Sequence, residues 1–510
     1  MKVNSICVLG GGTGGFATAA LLAKHRDNFK LKYDIKVIYS GKIGSIGVGE
    51  STILGINELF KYLDLKDSDW MAECNATYKI SIRFEDFRKK GKYFYYPFGQ
   101  MDAKRYDPQT VNDWFAMRNS YPEICTPENA AYYFLPHAIL AEKNRLTNDE
   151  DFDLDPYSAY HFDANLLGEY LKKYAEDLGV EFVDDTFVSA ELNDNGFVKS
   201  LVCKDGVYES DLFVDCTGFK SLLLGETLKE EYISFSDTLI NNKVLRAKIP
   251  YTDKEKQLKN YTNCVALKNG WCWEIPLWEH LSVGYVHTNK FASSEEIEKQ
   301  FFERVGECKY DVLEYKTGRY KRGWVKNVVA VGLSYGFLEP LESTGIATTL
   351  ANCYRLIEGL SRRDMQVTQV DRDGFNSTVG KINLDSLRHF IELHYILSSR
   401  DDSDYWRYVT EDIDYHDESR QYLDFLVRTW IGRSYFKPGA KSLSGNLFIA
   451  AGMDYNCISK STYKFTDTDM PGGERRSEEV KRFAEFLKLI SEQTETLRTS
   501  YSYLKETIYE

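Results

Sequence analysis

A chain of 510 residues, 43% of them hydrophobic and 14% aromatic, exceeds what one hydrophobic core usually supports and predicts two packed lobes. A formal net charge of −13, with no basic run longer than Lys89-Lys90-Gly91-Lys92, excludes the basic face of a nucleic-acid binder. No apolar run is long enough to span a bilayer and the chain enters a strand at once, so a cytoplasmic protein with no membrane partner is expected. Ten cysteines without a CxxC pair or a Cys/His cluster predict reduced thiols and no metal.

Residues 3–9 predict a short buried strand that turns at Gly10-Gly11-Gly12-Thr13-Gly14-Gly15 into a helix over 16–24, with the next strand at 34–39. Gly10 permits the tight bend, Gly12 lets backbone approach a pyrophosphate, and Gly15 lets helix and strand pack closely. Amides at the helix start then carry the phosphate charge. The strand–turn–helix context marks a dinucleotide site rather than an ordinary turn. The second strand ends Ile38-Tyr39-Ser40, where a ribose-binding Asp or Glu is usual. Ser40 bonds a hydroxyl more weakly than a carboxylate does, which predicts a loosely held cofactor.

Over 78–84, Tyr78, Ile80, Ile82 and Phe84 alternate with Lys79, Ser81 and Arg83, the pattern of a strand whose polar face carries Lys79. An amphipathic helix over 164–178 and short strands at 180–183 and 198–203 lead to a buried strand at 212–215. Strands follow at 243–247, 271–275, 282–287 and 328–331, then a helix over 345–360. From about 383 onward, apolar spacing turns helical, as in Leu384, Leu387, Phe390 and Ile391. The expected division is a core over 1–380, with an inserted substrate-side sheet, and a helical C-terminal lobe over 381–510.

Trp271-Cys272-Trp273-Glu274-Ile275-Pro276 reads locally as a strand of core aromatics ended by proline. In Pro340-Leu341-Glu342-Ser343-Thr344-Gly345, Ser343 suits a helix N-cap, and the amides of Thr344 and Gly345 at the helix start suit an anion. An ordinary capped helix has the same local sequence. Lys79 is by type a solvated charge, and Glu342 by position a charge favouring a helix start.

Taken together, the glycine turn, Gly47-Val48-Gly49-Glu50-Ser51-Thr52, the 271–276 strand and the 340–345 segment resemble the flavin-dependent halogenases of the tryptophan-halogenase family. The resemblance covers most of 1–460 and extends to viral, broad-specificity members. It implies an α/β fold: a Rossmann-type, p-hydroxybenzoate-hydroxylase-like FAD-binding domain with an added, mainly helical substrate lobe. FAD would be held by Gly10, Gly12, Thr13, Gly14, Gly15, Ser40, Val48, Gly49, Ser51, Phe187, Leu333 and Ile346. Segments 160–164, 211–219 and 329–337 resemble the family's other flavin-side pieces. Thr344 and Gly345 would hold halide, while Trp271, Trp273, Ile275, Pro276 and Ser343 would shield the route from flavin to substrate. Lys79 would receive hypohalous acid and present it to an aromatic ring, with Glu342 stabilising the ring cation or taking its proton.

No second GxGxxG in strand–turn–helix context is evident, so FADH2 would come from a separate NAD(P)H-dependent flavin reductase and react with O2 and halide. A homo-oligomer is also expected. In Tyr93-Phe94-Tyr95-Tyr96-Pro97-Phe98-Gly99 and Asn446-Leu447-Phe448-Ile449-Ala450, the His and Trp that line a free-tryptophan pocket are absent. The substrate expected is therefore another small electron-rich aromatic, and the resemblance to broad-specificity members implies bromide or iodide in preference to chloride. Two competing readings stand beside this one. A flavin monooxygenase that hydroxylates directly would leave the indole pair and Lys79 unexplained. A non-catalytic flavin-binding module would need none of these residues.

Overall fold

The computed structural model describes the chain apart from residues 45–46, 48, 100–107, 149–153, 362–364, 417–418, 421–441 and 456–472. It divides into two interleaved units. The first comprises Met1–Thr77, Tyr160–Asn242 and Glu314–Arg388. The second comprises Tyr78–Ala159, Lys243–Leu313 and His389–Glu510. The units therefore do not follow the expected cut at 380/381. The helical C-terminal part shares a unit with 243–313 because that segment supplies the sheet on which it folds.

The first unit is built on a six-stranded sheet in the order Trp324–Val325, Val328–Ala330, Leu212–Asp215, Ser5–Leu9, Asp34–Tyr39, Glu181–Asp184. Every pairing is parallel except the edge pair Trp324–Val325 with Val328–Ala330. Ile6, Cys7, Val8, Phe213, Val214 and Val328 are all fully buried, as strands covered on both faces require. Helix Thr13–Asn28 packs against helices Ala164–Asp177 and Gly345–Ser361, and everything from Gly15 to Ala23 is buried. Such an all-round apolar helix belongs inside the fold. At the end of Leu212–Asp215, the Asp215 carboxylate accepts hydrogen bonds from Thr217 N, Thr217 Oγ1, Leu223 N and Leu224 N and so shapes the following turn. Burial still holds its carboxyl above the usual aspartate range.

The second unit carries a seven-stranded sheet in the order Asp311–Glu314, Lys243–Pro250, His280–His287, Gly270–Pro276, Tyr261–Leu267, Ser81–Glu85, Tyr93–Pro97. Helix Ser294–Val305 covers one face, packing Ile297 and Phe301 on Leu245, Ala247, Cys272, Val283 and Tyr285. Its start is fixed by a capping box in which Ser293 and Glu296 satisfy each other's amides.

The continuous strand expected over 78–84 is two strands, Thr77–Lys79 and Ser81–Glu85. They break at Ile80, whose amide donates to the Asn260 carbonyl at 2.8 Å. Nor is there a solvated face over the first half: Lys79 and Ser81 are as fully buried as Ile82 and Phe84. Among the described residues, no helix is long and apolar enough to cross a membrane.

Burial lowers the His25 imidazole from 6.5 to about 4, while its ring nitrogens bond Tyr62 Oη at 2.8 Å and Ser361 Oγ at 2.7 Å. The unfolded chain takes up this proton first, so the stabilisation is whole above pH 6.5 and is lost as pH falls toward 4. A His25→Asn variant is expected to show a shallower loss of thermal stability between pH 6.5 and 4.5 than the parent, measured by calorimetry.

Candidate functional site

The glycine turn is dictated by close approaches. Gly10 has φ +127°, and a Cβ there would stand 2.3 Å from the Cys216 carbonyl oxygen. A Cβ on Gly15 would stand 2.1 Å from the Gly10 carbonyl oxygen, so the turn closes only without side chains. Gly12 differs: a Cβ there meets nothing within 4 Å, and no side chain caps the helix that follows. Open space in front of uncapped first-turn amides fits the pyrophosphate of a dinucleotide. The helix begins at Thr13, three residues before the predicted start, and the Thr13 hydroxyl donates to the Ala164 carbonyl at 2.7 Å. Thr13 therefore offers a ligand its amide rather than its side chain.

Ser40 Oγ lies 3.0 Å from Thr186 Oγ1, beside Phe187. A carboxylate does stand at the end of the neighbouring strand. There Asp184 accepts from the Gly41 amide at 2.9 Å. Its position was not readable from the sequence, because the parallel register Tyr39↔Asp184 that brings it there joins strands far apart in the chain. Tyr39 itself lies against Gly11, with its phenol oxygen 3.1 Å from Lys172 Nζ.

Strand Gly49–Ser51 pairs with Ala159–Asp163 and places Ser51 Oγ 3.0 Å from Ser343 Oγ. Val48 lies outside the described residues. Burial pushes the Glu50 carboxyl up to about 7, a proton-transferring range that the motif alone did not signal. Ser343 is not the helix N-cap expected of it. It occupies the left-handed region at φ 57° after the short 3₁₀ turn Pro340–Glu342, and its hydroxyl is given to Ser51. A non-glycine residue held there is strained, as residues at functional turns often are.

Thr344 and Gly345 thus open the 17-residue helix Gly345–Ser361, and a Cβ on Gly345 would meet nothing within 4 Å. Ile346 is half-buried in its first turn, while Leu333 sits in the turn Gly332–Ser334. Thr349 joins these parts. Its methyl is 3.5 Å from the Cβ position of Gly14, and its hydroxyl 2.9 Å from that of Gly332. Glu342 is 2% exposed.

In the second unit, strand alternation sorts Gly270–Pro276 cleanly. Cys272 and Glu274 face helix Ser294–Val305, where Arg304 Nε donates to Glu274 Oε1 at 2.7 Å. Trp271, Trp273 and Ile275 therefore face the other way, with the indole centroids 6.1 Å apart and Pro276 buried at the strand's end. Neither indole N–H has an acceptor among the described residues. The Trp273 ring lies across Gly284, whose Cβ would stand 2.1 Å from it.

The Lys79 ammonium has no exposed surface and stands 4.8 Å from the centre of the Phe98 ring. Further rings continue from Phe98: Tyr96 at 6.2 Å, then Phe448 at 5.7 Å and Phe390 at 6.2 Å from Tyr96. An imidazole from elsewhere in the chain stands beside this segment. His137 Nε2 is 2.7 Å from the Phe98 carbonyl oxygen, and burial lowers the ring to about 4. It reaches the strand from a separate turn, Pro136–Ala138, so no local motif announced it.

The tryptophan halogenase family profile matches residues 5–447. The chain belongs to the tryptophan halogenase family. Tryptophan 6-halogenase SttH of Streptomyces toxytricini is 35% identical over 79% of this chain and 80% of its own length. The 7-chloro-L-tryptophan 6-halogenase KtzR of Kutzneria sp. (strain 744) is 36% identical over 78% and 80%. The apo structure of VirX1 superposes with a TM-score of 0.89 at 36% identity, covering 100% of both chains. This halogenase is thus an FADH2-dependent oxidoreductase acting on aromatic substrates, with halide and O2 as co-substrates and a separate flavin reductase as its source of FADH2. The α/β class and FAD-binding domain plus substrate lobe stand as expected.

A Gly284→Ala substitution must push the Trp273 indole aside. The expected cost is on the order of 1–3 kcal/mol, with a lower Tm and an altered near-ultraviolet circular dichroism spectrum. An unchanged spectrum would mean that the ring does not rest on that glycine.

Proposed function

We propose that this enzyme makes hypohalous acid beside its flavin, passes it to Lys79, and halogenates electron-rich aromatics other than free tryptophan, with bromide or iodide preferred. The observation that carries the proposal is the complete burial of Lys79 against Phe98. Lysine is almost never fully buried unless paired, because removing an ammonium from water costs several kcal/mol, so its place inside the fold is a built feature.

Reduced FAD, when bound, would supply the two electrons and two protons with which O2, halide and one further proton become hypohalous acid and water. The glycine turn, Asp184 and the 332–334 turn hold the cofactor, and the amides of Thr344 and Gly345 hold the halide. The Trp271/Trp273 face keeps the organic substrate away from the flavin and leaves passage only for the small oxidant. Lys79 Nζ donates a hydrogen bond to the oxygen of hypohalous acid, which makes the halogen electrophilic. The substrate ring forms a carbon–halogen bond as the oxygen–halogen bond breaks, and that oxygen takes a proton from the Lys79 ammonium and leaves as water; the ring proton taken up by Glu342 later returns to the amine through solvent. Glu342 stabilises the ring cation and accepts the ring proton. The rings about Phe98 offer flat apolar surface to an aromatic guest.

The test supplies purified enzyme with FAD, a flavin reductase, NADH, O2 and each halide in turn, and weighs the products from a panel of phenols and indoles. Lys79→Ala should lower halogenation about a hundredfold or more while reduced flavin is still oxidised and free hypohalous acid accumulates. Collapse of flavin oxidation in that variant would refute the role given to Lys79, and gain of one oxygen by the substrate would identify a hydroxylase. Gly10→Ala should weaken FAD binding in a fluorescence titration about tenfold or more, since its Cβ overlaps Cys216.

A further inference from the structure

We propose that the C-terminal helix of this chain is a positioning element that sets the Lys79 strand and the Trp271/Trp273 strand in register, and so couples oxidant production to halogenation. The inference rests on the role of Lys79 proposed above. Within the second unit, the last residues reach both motif-bearing strands.

Thr499 caps the helical turn Ser500–Leu504, which continues as Lys505–Tyr509. From there Tyr503, 5% exposed, sets its ring edge-on to Tyr78, the residue before Lys79, at 6.1 Å. Tyr509 stacks on Trp278 at 3.8 Å and 6°, and Tyr501 lies parallel to the same indole at 5.6 Å. Trp278 stands two residues beyond Pro276, the end of the Trp271/Trp273 strand. The Lys254 ammonium, 3.6 Å from the Trp278 ring centre, adds a cation–π contact. One short helix therefore grips the chain immediately before Lys79 and immediately after the shielding strand.

A buried hydrogen-bond relay makes the same connection. The Ser500 amide donates to the Asn144 carbonyl at 3.1 Å, and Leu146 N donates to Arg498 O at 3.2 Å. Asn144, in the left-handed region at φ 51°, donates from Nδ2 to Leu258 O at 3.0 Å. Its Oδ1 accepts from Asn260 N at 3.2 Å. Asn260, 1% exposed, donates to Leu140 O and Arg145 O, and its carbonyl accepts the Ile80 amide at 2.8 Å. That last bond pins the break in the strand directly after Lys79. Each link is an amide or carboxamide with fixed geometry, so a shift of the C-terminal helix is passed to the backbone that carries the ammonium. An ordinary packing helix would stabilise the unit without touching both strands beside their functional residues.

The test uses the full chain with the flavin reductase system, bromide and a phenol. It measures brominated product per flavin oxidised, beside free hypobromous acid, Tm and FAD affinity. Tyr503→Leu and Tyr509→Ala should lower the product-to-flavin ratio between about tenfold and a hundredfold, with flavin oxidation and FAD affinity unchanged. Tyr503→Phe should restore the ratio. An unchanged ratio in folded Tyr503→Leu and Tyr509→Ala overturns the proposal, as does a loss of flavin oxidation in step with product. Should Tyr503→Leu fail to fold, Tyr509→Ala decides alone. Lys79→Ala, run in parallel, separates the two ideas. If it stays coupled, the role of Lys79 falls; if it uncouples while the tyrosine variants do not, only the helix proposal falls.

Discussion

An ammonium group with no exposed surface is the constraint from which the second unit is best understood. Moving a charge out of water costs several kcal/mol unless the surroundings answer it. At Lys79 part of the answer is a ring face, Phe98, whose negative quadrupole attracts the cation. The backbone beneath the lysine is held as well. The strand breaks at Ile80 and is tied there to Asn260, whose side-chain Nδ2 donates to two carbonyls on a neighbouring turn. The seven-stranded sheet follows the same logic. Arg304, Glu274, Glu85, Arg83 and Asn263 form one polar lattice on the helix-covered face, leaving the opposite face apolar for the indoles.

Under the proposed roles the first unit answers a different demand: phosphates and a halide would be bound there by backbone rather than side chains. Anions bound by amides need close approach, and close approach needs glycine at Gly10, Gly12 and Gly15 and open space before Gly345. Thr349 touches the positions of both Gly14 and Gly332, so the phosphate turn and the helix behind the proposed halide amides share one joint. Ser343 pays for this arrangement with a left-handed backbone, anchored by Ser51.

Much of this was legible in the sequence where the signal is local. The glycine turn, the alternation in Trp271–Ile275 and the helix after Gly345 are period or spacing signals, and they survive folding. What depends on distant partners was not legible. Lys79 reads as lying on a polar strand face because alternation reports which side a residue takes, not whether that side meets water. Ser343 reads as an N-cap because its hydroxyl suits one; the competing partner, Ser51, lies 292 residues away. Asp184, His137 and Asn260 carry no motif, and only strand register or turn packing brings them to the residues they serve. The division at 380/381 failed for the same reason, since the sheet under the C-terminal helices is drawn from the middle of the chain.

The aromatic surroundings of Lys79 also bear on which substrates suit it. Phe98, Tyr96, Phe390 and Phe448 form a connected set of rings beside a fixed positive charge. Such a set gains most from a flat, electron-rich guest, which stacks on the rings and presents its own negative face to the cation. A zwitterionic amino acid would in addition require partners for its ammonium and carboxylate, because burying either charge unpaired costs more than ring stacking returns. His137, held near neutrality by burial and engaged with Phe98, offers no such countercharge at pH 7. Neutral phenols and indoles make no such demand, and this supports the proposal that they, rather than free tryptophan, are the substrates.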